Sequence, residues 1–450
     1  MQLFIHRNDL RVRDNIGLFR AGAAEPVIPV YIRDPRRASL IGPEKTAFRD
    51  RGLQKLQERY REHGSDLIVR EGKTAAILSS IAQEHDISGI AYNRHYAPSE
   101  RHIEQEIDKS RFNATAYDDR VLVPPRWFEN DHDTFSPFYR RWKEKEKQDA
   151  VGVPSQLADI SAPDVEKSQE STIDLPDAGE EAARDRWTAF KAGALYEYKE
   201  QRDDVADPDA VSRLSPYYSN GMIGIRTIYH EVQTCIQQEN DDNAIRNIAK
   251  YRSELAWREF FYQVLYHHPE SVENNYKSFE REIAWENDAD LFEAWKEGRT
   301  GIPFVDAGMR ELNETGYMHN RTRQNVASFL TKHLMIDWRK GRDYFRKKLI
   351  DHDVASNTGG WQWAASTGTD SVPIRIFNPI KQGKRYDPEA EYIKRWVPEL
   401  SGLDPNQIHE WPQLEEEQRK ALAESYPAPI IKYQKRYHEG KQMFEQALGR

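Results

Sequence analysis

The sequence predicts a Rossmann-like α/β domain with a parallel sheet, joined by a long connector to an all-helical domain. Three observations carry this expectation. The first 120 residues alternate short β-rich runs with helical patterns, residues 143–186 lose apolar periodicity, and helical periodicity then runs almost throughout 187–450. At 450 residues the chain exceeds the roughly 250–300 at which one core stops growing. The expected division is 1–130 for the α/β domain, 131–190 for the connector and 191–450 for the helical domain.

In chain order, Gln2–His6, Val27–Ile32, Asp66–Val69, Gly89–Tyr92 and Thr115–Tyr117 read as strands. A helix is expected from about Glu44 to His63, with Leu53, Leu56 and Tyr60 on one face and Gly64 as a left-handed stop. Another begins after Thr74 as N-cap, with Ile77, Leu78 and Ile81 inward. Strands alternating with helices imply βαβ units and ligands at the carboxyl ends of the strands. The G-x-G-x-x-G turn is missing, so no dinucleotide held in the usual way is expected in this domain. From Lys143 to Arg186 the sequence is rich in Lys, Glu, Gln and Asp and punctuated by Pro154, Pro163 and Pro176, which reads as a long surface connector. The helical half is broken at Gly301-Ile302-Pro303, Gly359-Gly360 and Phe377-Asn378-Pro379, and no internal repeat or low-complexity tract interrupts it.

Composition excludes several classes. Eleven tryptophans among 39 other Tyr and Phe residues are too many for disorder. No run approaches the roughly 18 apolar residues of a membrane span, and Met1-Gln2-Leu3-Phe4-Ile5-His6-Arg7 lacks the apolar core of a signal peptide, so a cytoplasmic location is expected. The single Cys235 excludes internal disulfides and multi-cysteine metal sites, and the histidines show no ligand spacing, so no metal is expected. A net charge of −9 argues against a protein that coats nucleic acid.

Four constellations could carry chemistry. Arg321 to Lys348 holds nine Lys/Arg against two Asp, either a solvated helical face or a phosphate-facing patch. Asp351-His352-Asp353 leads into Asn357-Thr358-Gly359-Gly360-Trp361-Gln362-Trp363; if helical, Asp353 and Asn357 stand four apart on one face and could bind the polar edge of a planar heterocycle, or else cap a helix before a Gly-Gly turn. Glu254, Trp257 and Arg258 share a helical face, either an ion pair with a packed aromatic or a site that bonds and stacks a base. His319-Asn320-Arg321-Thr322-Arg323 puts polar groups before an apolar helix carrying Val326, Phe329, Leu330 and Leu334.

Five motifs stand together in one order: His6-Arg7-Asn8-Asp9-Leu10-Arg11, Glu254-Leu255-Ala256-Trp257-Arg258-Glu259-Phe260, Asp306-Ala307-Gly308-Met309-Arg310, Met318-His319-Asn320-Arg321, and Asn357 through Asp370. With them the sequence closely resembles the DNA photolyase/cryptochrome flavoproteins, nearest to the class I cyclobutane pyrimidine dimer photolyases. The resemblance spans nearly the whole chain and is densest from Tyr198 to Leu400.

The resemblance implies an all-α domain binding FAD folded into a U, active as FADH⁻, and a second antenna chromophore, a deazaflavin or a methenyl folate. It implies that Tyr198 and the loop Ser212, Arg213, Leu214 and Ser215 contact the phosphates, and that Tyr251, Arg258, Asn320 and Arg323 line the flavin pocket. Asp351 is expected to pair with Arg323, Asp353 to meet the isoalloxazine edge and Asn357 to lie against N5. The implied reaction is light-driven repair of UV-damaged DNA: an electron passes from excited FADH⁻ to a flipped-out pyrimidine dimer, the cyclobutane ring opens and the electron returns. Glu254 would hydrogen-bond the dimer, Trp257 and Trp363 would wall it, Arg202, Arg321 and Asn320 would lie on the DNA, and Trp361, Trp338 and Trp285 would relay electrons to the flavin. Family members are usually monomers.

Departures are informative. Gln324 stands where class I enzymes carry a Met that touches the lesion, Val211 replaces a Thr of the phosphate loop, and Tyr251 stands where Trp is common. Glu100 matches one folate-type contact while Ser99 replaces an expected Asn. The alternative reading is a blue-light photoreceptor without repair. Asn357, where many plant-type receptors carry Asp, and a family core ending near Leu448 favour repair. Asn320, where (6-4) photolyases typically carry His, disfavours that branch.

Overall fold

The computed structural model describes residues 1–38, 40–110, 112–129 and 131–450. They form two compact units: Met1–Lys199 with Val211–Pro269 and Ile350–Ala355, and Glu200–Ala210 with Glu270–Leu349 and Ser356–Arg450.

The first unit is built on strands β1 (Gln2–His6), β2 (Val27–Arg33), β3 (Ile68–Glu71), β4 (Gly89–Asn93) and β5 (Ala114–Tyr117), all parallel in the order β3-β2-β1-β4-β5. The apolar runs of β1, β2 and β4 are almost continuous because helices cover both faces, and Leu3, Ile5, Ile28, Val30, Ile68, Ile90 and Tyr92 are buried together. The order reverses between β1 and β4, the place where such sheets hold ligands. Here it is filled by side chains: Asn93 Nδ2 donates to Asp9 Oδ2 at 2.6 Å, Arg7 Nη2 reaches Glu104 at 2.6 Å and Arg37 Nε reaches Glu100 at 2.7 Å.

All five expected strands are present, within two residues at each end. The helix expected from Glu44 runs Pro43–Glu62, and Gly64 adopts φ +73°, which a side chain would strain. Thr74 is the first residue of its helix, not the cap; the cap role falls to Asp34, whose Oδ2 accepts from the Thr74 amide at 3.0 Å and hydroxyl at 2.9 Å. No local pattern announces a cap supplied from forty residues away. The stretch read as a surface connector is without helix over 145–178 yet tightly held: Val165 and Leu175 are buried, and Ser168 donates to Asp50 Oδ2 from both its amide (2.6 Å) and its hydroxyl (2.7 Å). Irregular backbone carries no period, so its buried positions leave no sequence signal.

The second unit is helical; all described strands lie before residue 118. Its central core packs Trp295, Val305, Met309, Val326, Phe329, Leu330, Trp338, Phe345 and Trp361. Gly359 and Gly360 do not break the chain: they lie inside the helix Val354–Ala365. Each glycine costs about 1 kcal/mol in a helix, and a Cβ on Gly360 would meet nothing within 4 Å, so that face of the helix stands open.

Candidate functional site

In the first unit, Asp353 immediately precedes the Val354–Ala365 helix and accepts from two donors. Arg120 Nη2 donates to its Oδ2 at 2.8 Å and the Tyr262 hydroxyl donates to the same oxygen, with the Arg120 and Asp353 side chains 7% and 10% exposed. Arg258 stacks over Tyr262 at 4.8 Å and donates to the Arg120 carbonyl at 2.9 Å. Buried Lys45 donates to the His352 carbonyl at 2.5 Å and to Ser219 Oγ at 2.9 Å, and burial pulls its pKa down to about 7. Sequence reasoning found Asp353 and Arg258 but missed Arg120 and Lys45, which lie in stretches without a motif, and Tyr262, which stands one turn beyond Arg258 on the same helix.

The Ser212–Ser215 loop lies in the same unit. Arg213 takes φ +49°, and the loop is braced by Arg186, which donates to the Ser212 and Val211 carbonyls at 2.9 Å each. Ser215 Oγ donates to Asp351 Oδ2 at 2.6 Å. Tyr251 is buried between Trp187 (ring centroids 5.8 Å) and Tyr198 (5.2 Å, edge to face), and burial raises its hydroxyl pKa. Tyr198, Tyr251 and Trp187 therefore form one aromatic cluster.

Glu254, Trp257 and Arg258 do lie on one helix, Asp242–His267, but they turn to different partners. Glu254 Oε1 pairs with Lys250 Nζ at 2.6 Å. Trp257 lies flat on Phe135, centroids 3.9 Å apart and planes 6° apart, and Tyr139 also stacks with Phe135 at 5.3 Å. Phe135 is a contact the sequence did not reveal.

In the second unit, the helix Asn320–Lys332 opens on His319, whose Nδ1 accepts from the Arg321 amide at 3.1 Å. Asn320 is exposed at the first helical position. Arg321 donates to Asp203 Oδ1 at 2.6 Å and to Gln324 Oε1 at 3.0 Å, and its guanidinium lies 4.6 Å from the Tyr386 ring centroid. Half-buried Arg202 lies 3.6 Å from Asp203. Arg323 Nε donates to the Met318 carbonyl at 2.7 Å.

Asn357 is buried, and its Nδ2 donates to the Arg342 carbonyl at 3.1 Å, which fixes the amide with Oδ1 as the end left to accept. Trp363 is half-buried under Arg375 (4.6 Å). Of the three relay tryptophans, Trp361 and Trp338 share the central core and half-buried Trp285 packs against it, edge-on to Phe444 at 5.6 Å. The described ring neighbours of Trp361 are Trp295 at 6.0 Å and Phe345 at 5.0 Å, so the core contains a fourth indole that spacing did not single out. Trp361 Nε1 is buried and has no hydrogen-bond partner among the described residues.

Comparison with known proteins adds an independent line. The family profile for the FAD binding domain of DNA photolyase matches residues 251–446, and that for DNA photolyase matches residues 2–156. A deoxyribodipyrimidine photo-lyase of Halobacterium salinarum is 40% identical over 480 residues, spanning 100% of both chains. Among solved structures, a cryptochrome of Synechocystis has a TM-score of 0.90 at 31% identity, covering 98% of this chain and 99% of that one. An archaeal photolyase from Sulfolobus tokodaii, solved with two FAD molecules, has a TM-score of 0.81 at 32% identity, covering 99% of each.

Proposed function

The chain belongs to the DNA photolyase/cryptochrome family, and from that premise we propose that the residues assembled above perform light-driven repair of cyclobutane pyrimidine dimers. It is a flavin-dependent carbon–carbon lyase acting on UV-damaged DNA. The reading extends to a cytoplasmic monomer, with 1–130 carrying the antenna, 131–190 the connector and 191–450 the flavin and DNA sites; no described helix is long and apolar enough to cross a membrane.

One observation carries the assignment of the flavin site. The Asn357 amide is pinned by the Arg342 carbonyl so that it offers an acceptor, and reduced flavin carries an N–H donor at N5. The orphaned Trp361 N–H one turn along the same helix, and the open face at Gly360, fit a bulky polar ring on that side. When bound and reduced, FAD supplies the photoexcited electron that opens the cyclobutane ring and receives it back.

This chain's residues do the rest. Tyr198 and the Ser212, Arg213, Leu214 and Ser215 loop hold the phosphates, and Tyr251, Arg258, Asn320, Arg323, Asp351 and Asp353 line and orient the ring system. Arg120 and Tyr262 both donate to Asp353 Oδ2, which makes the carboxylate a preorganised acceptor. Glu254 hydrogen-bonds the dimer, Trp257 and Trp363 exclude water around it, and Arg202, Arg321 and Asn320 position the strand. Trp285, Trp338 and Trp361 pass electrons inward. Of the two antenna chemistries, the deazaflavin is favoured, because Glu100 is committed to Arg37 (2.7 Å) and Arg7 (3.2 Å); against the penalty of burial, those cations hold its pKa down to about 2.

Glu254→Ala tests the assignment: it should keep bound flavin and lose most repair of a thymine dimer in blue light. Undiminished repair would remove Glu254 from the reaction.

A further inference from the structure

We propose that Asn275 is a positioning residue for the middle tryptophan of the relay: its side-chain oxygen holds the Trp338 indole N–H, so that when Trp338 gives up an electron the positive charge is stabilised there and the proton stays on the ring. This rests on the reading of Trp338 as a relay residue and deepens it.

Trp338 is fully buried, and its Nε1 donates to Asn275 Oδ1 at 2.9 Å. An indole N–H can only donate, so the end of the amide that faces it is the oxygen. Arg339 Nη2 stands 3.4 Å from the same oxygen as a second donor and requires the same orientation. One buried amide clamps the backbone on either side of Asn275: Gln362 Nε2 donates to the Ser271 and Asn274 carbonyls at 2.6 and 3.0 Å, and its Oε1 accepts from the Tyr276 amide at 2.8 Å. Gln362 is 2% exposed and follows Trp361 directly in the Val354–Ala365 helix. The helix that carries the inner indole of the relay therefore also sets the acceptor on the middle one.

Charge around the Trp338 ring gives that acceptor its work. The guanidinium carbons of Arg339 and Arg342 lie 4.8 and 5.3 Å from the ring centroid, where they attract the neutral ring and repel a positive charge formed on it. Each guanidinium has its own carboxylate, Asp337 at 3.1 Å for Arg339 and Asp343 at 2.9 Å for Arg342, which offsets part of that repulsion. The Asn275 oxygen acts on the N–H itself, and this hydrogen bond strengthens once the donor is ionised. In the relay, Trp361 loses an electron to photoexcited oxidised flavin and regains one from Trp338; Trp338 regains one from Trp285, and Trp285 from an external thiol. An oxidised indole is a strong N–H acid, but an amide oxygen is too weak a base to take its proton. Trp338 thus passes charge on without a proton leaving Nε1. A carboxylate in place of the amide would take the proton and leave a neutral radical that must recover it before its electron returns.

The test uses the flavin-loaded Trp285→Phe protein, in which charge stops at Trp338, and follows transient absorption after a blue pulse in light and heavy water. With Asn275 intact, the radical at Trp338 should carry the spectrum of the indole radical cation and decay at equal rates in the two solvents. Adding Asn275→Asp should give the neutral indolyl spectrum and a decay that slows in heavy water. Adding Asn275→Leu, which leaves no acceptor, should lower the yield of charge at Trp338 about tenfold, the size expected for one hydrogen bond to a charged group. In the dark, the Trp338 indole N–H resonance of ¹⁵N-labelled flavin-loaded protein, assigned by its loss in Trp338→Phe, should move upfield in Asn275→Leu. An unmoved resonance, or a radical-cation spectrum that survives in Asn275→Asp, would overturn the proposal while leaving the relay intact. Absence of any radical at Trp338 with Asn275 in place would overturn the relay reading itself.

Discussion

Arg120 Nη2 lies 2.8 Å from Asp353 Oδ2, a buried ion pair linking the segment after β5 to the residue that opens the Val354–Ala365 helix. Removing one partner of such a pair strands the other charge, typically at about 3–5 kcal/mol. Arg120→Met is therefore expected to lower unfolding free energy by about 3 kcal/mol in urea titration, and to release flavin on gel filtration. Retention of both stability and flavin would show that Asp353 does not depend on Arg120.

His319 gives a pH signature. Burial lowers its pKa to about 4, and its neutral ring accepts the Arg321 amide. Between the ordinary value near 6.5 and about 4, the unfolded chain carries a proton that the folded chain refuses. Its contribution to stability is thus fully present above pH 6.5 and lost as pH falls toward 4. His319→Asn keeps an acceptor at the cap without titrating, so urea midpoints at pH 7, 5.5 and 4.5 should fall less steeply than in the unmodified protein. Parallel slopes would contradict this.

Gly341 faces the proximal indole. A Cβ there would stand 2.1 Å from Trp361 Cη2 and 2.6 Å from Leu330 Cδ2, in a core with no room to give. Gly341→Ala should cost about 1–3 kcal/mol by thermal or urea unfolding, and should slow flavin photoreduction because Trp361 must move. Unaltered photoreduction kinetics would separate Trp361 from that process.

The relay itself is tested by two replacements in the same core. Trp338→Phe should abolish photoreduction of oxidised flavin under blue light with an external thiol, whereas Trp295→Phe, which removes the indole beside Trp361, should retain it. The reverse result would place the path through Trp295.

The sequence spoke clearly wherever a pattern is periodic. Both-face burial made β1, β2 and β4 near-continuous apolar runs, and the 3.6-residue period exposed the helix Asn320–Lys332. Five ordered motifs made the family legible, and with it Asp353, Asn357 and Trp361. What stayed hidden was three-dimensional. Asp34 capping Thr74, Arg120 and Tyr262 gripping Asp353, and Phe135 stacking on Trp257 are contacts between residues forty or more apart. The glycine pair at 359–360 misled because glycine is a weak helix breaker: inside the Val354–Ala365 helix, packing outweighs about 1 kcal/mol per residue.

Light-driven repair of dimers by this chain is measured by incubating the purified protein, its flavin reduced, with an oligonucleotide carrying one thymine cyclobutane dimer, in blue light and in darkness, and counting the dimers that remain. Dimers should be lost in light alone. Survival of the dimers in both, with flavin bound and reduced, would contradict it and move the protein to a photoreceptor role.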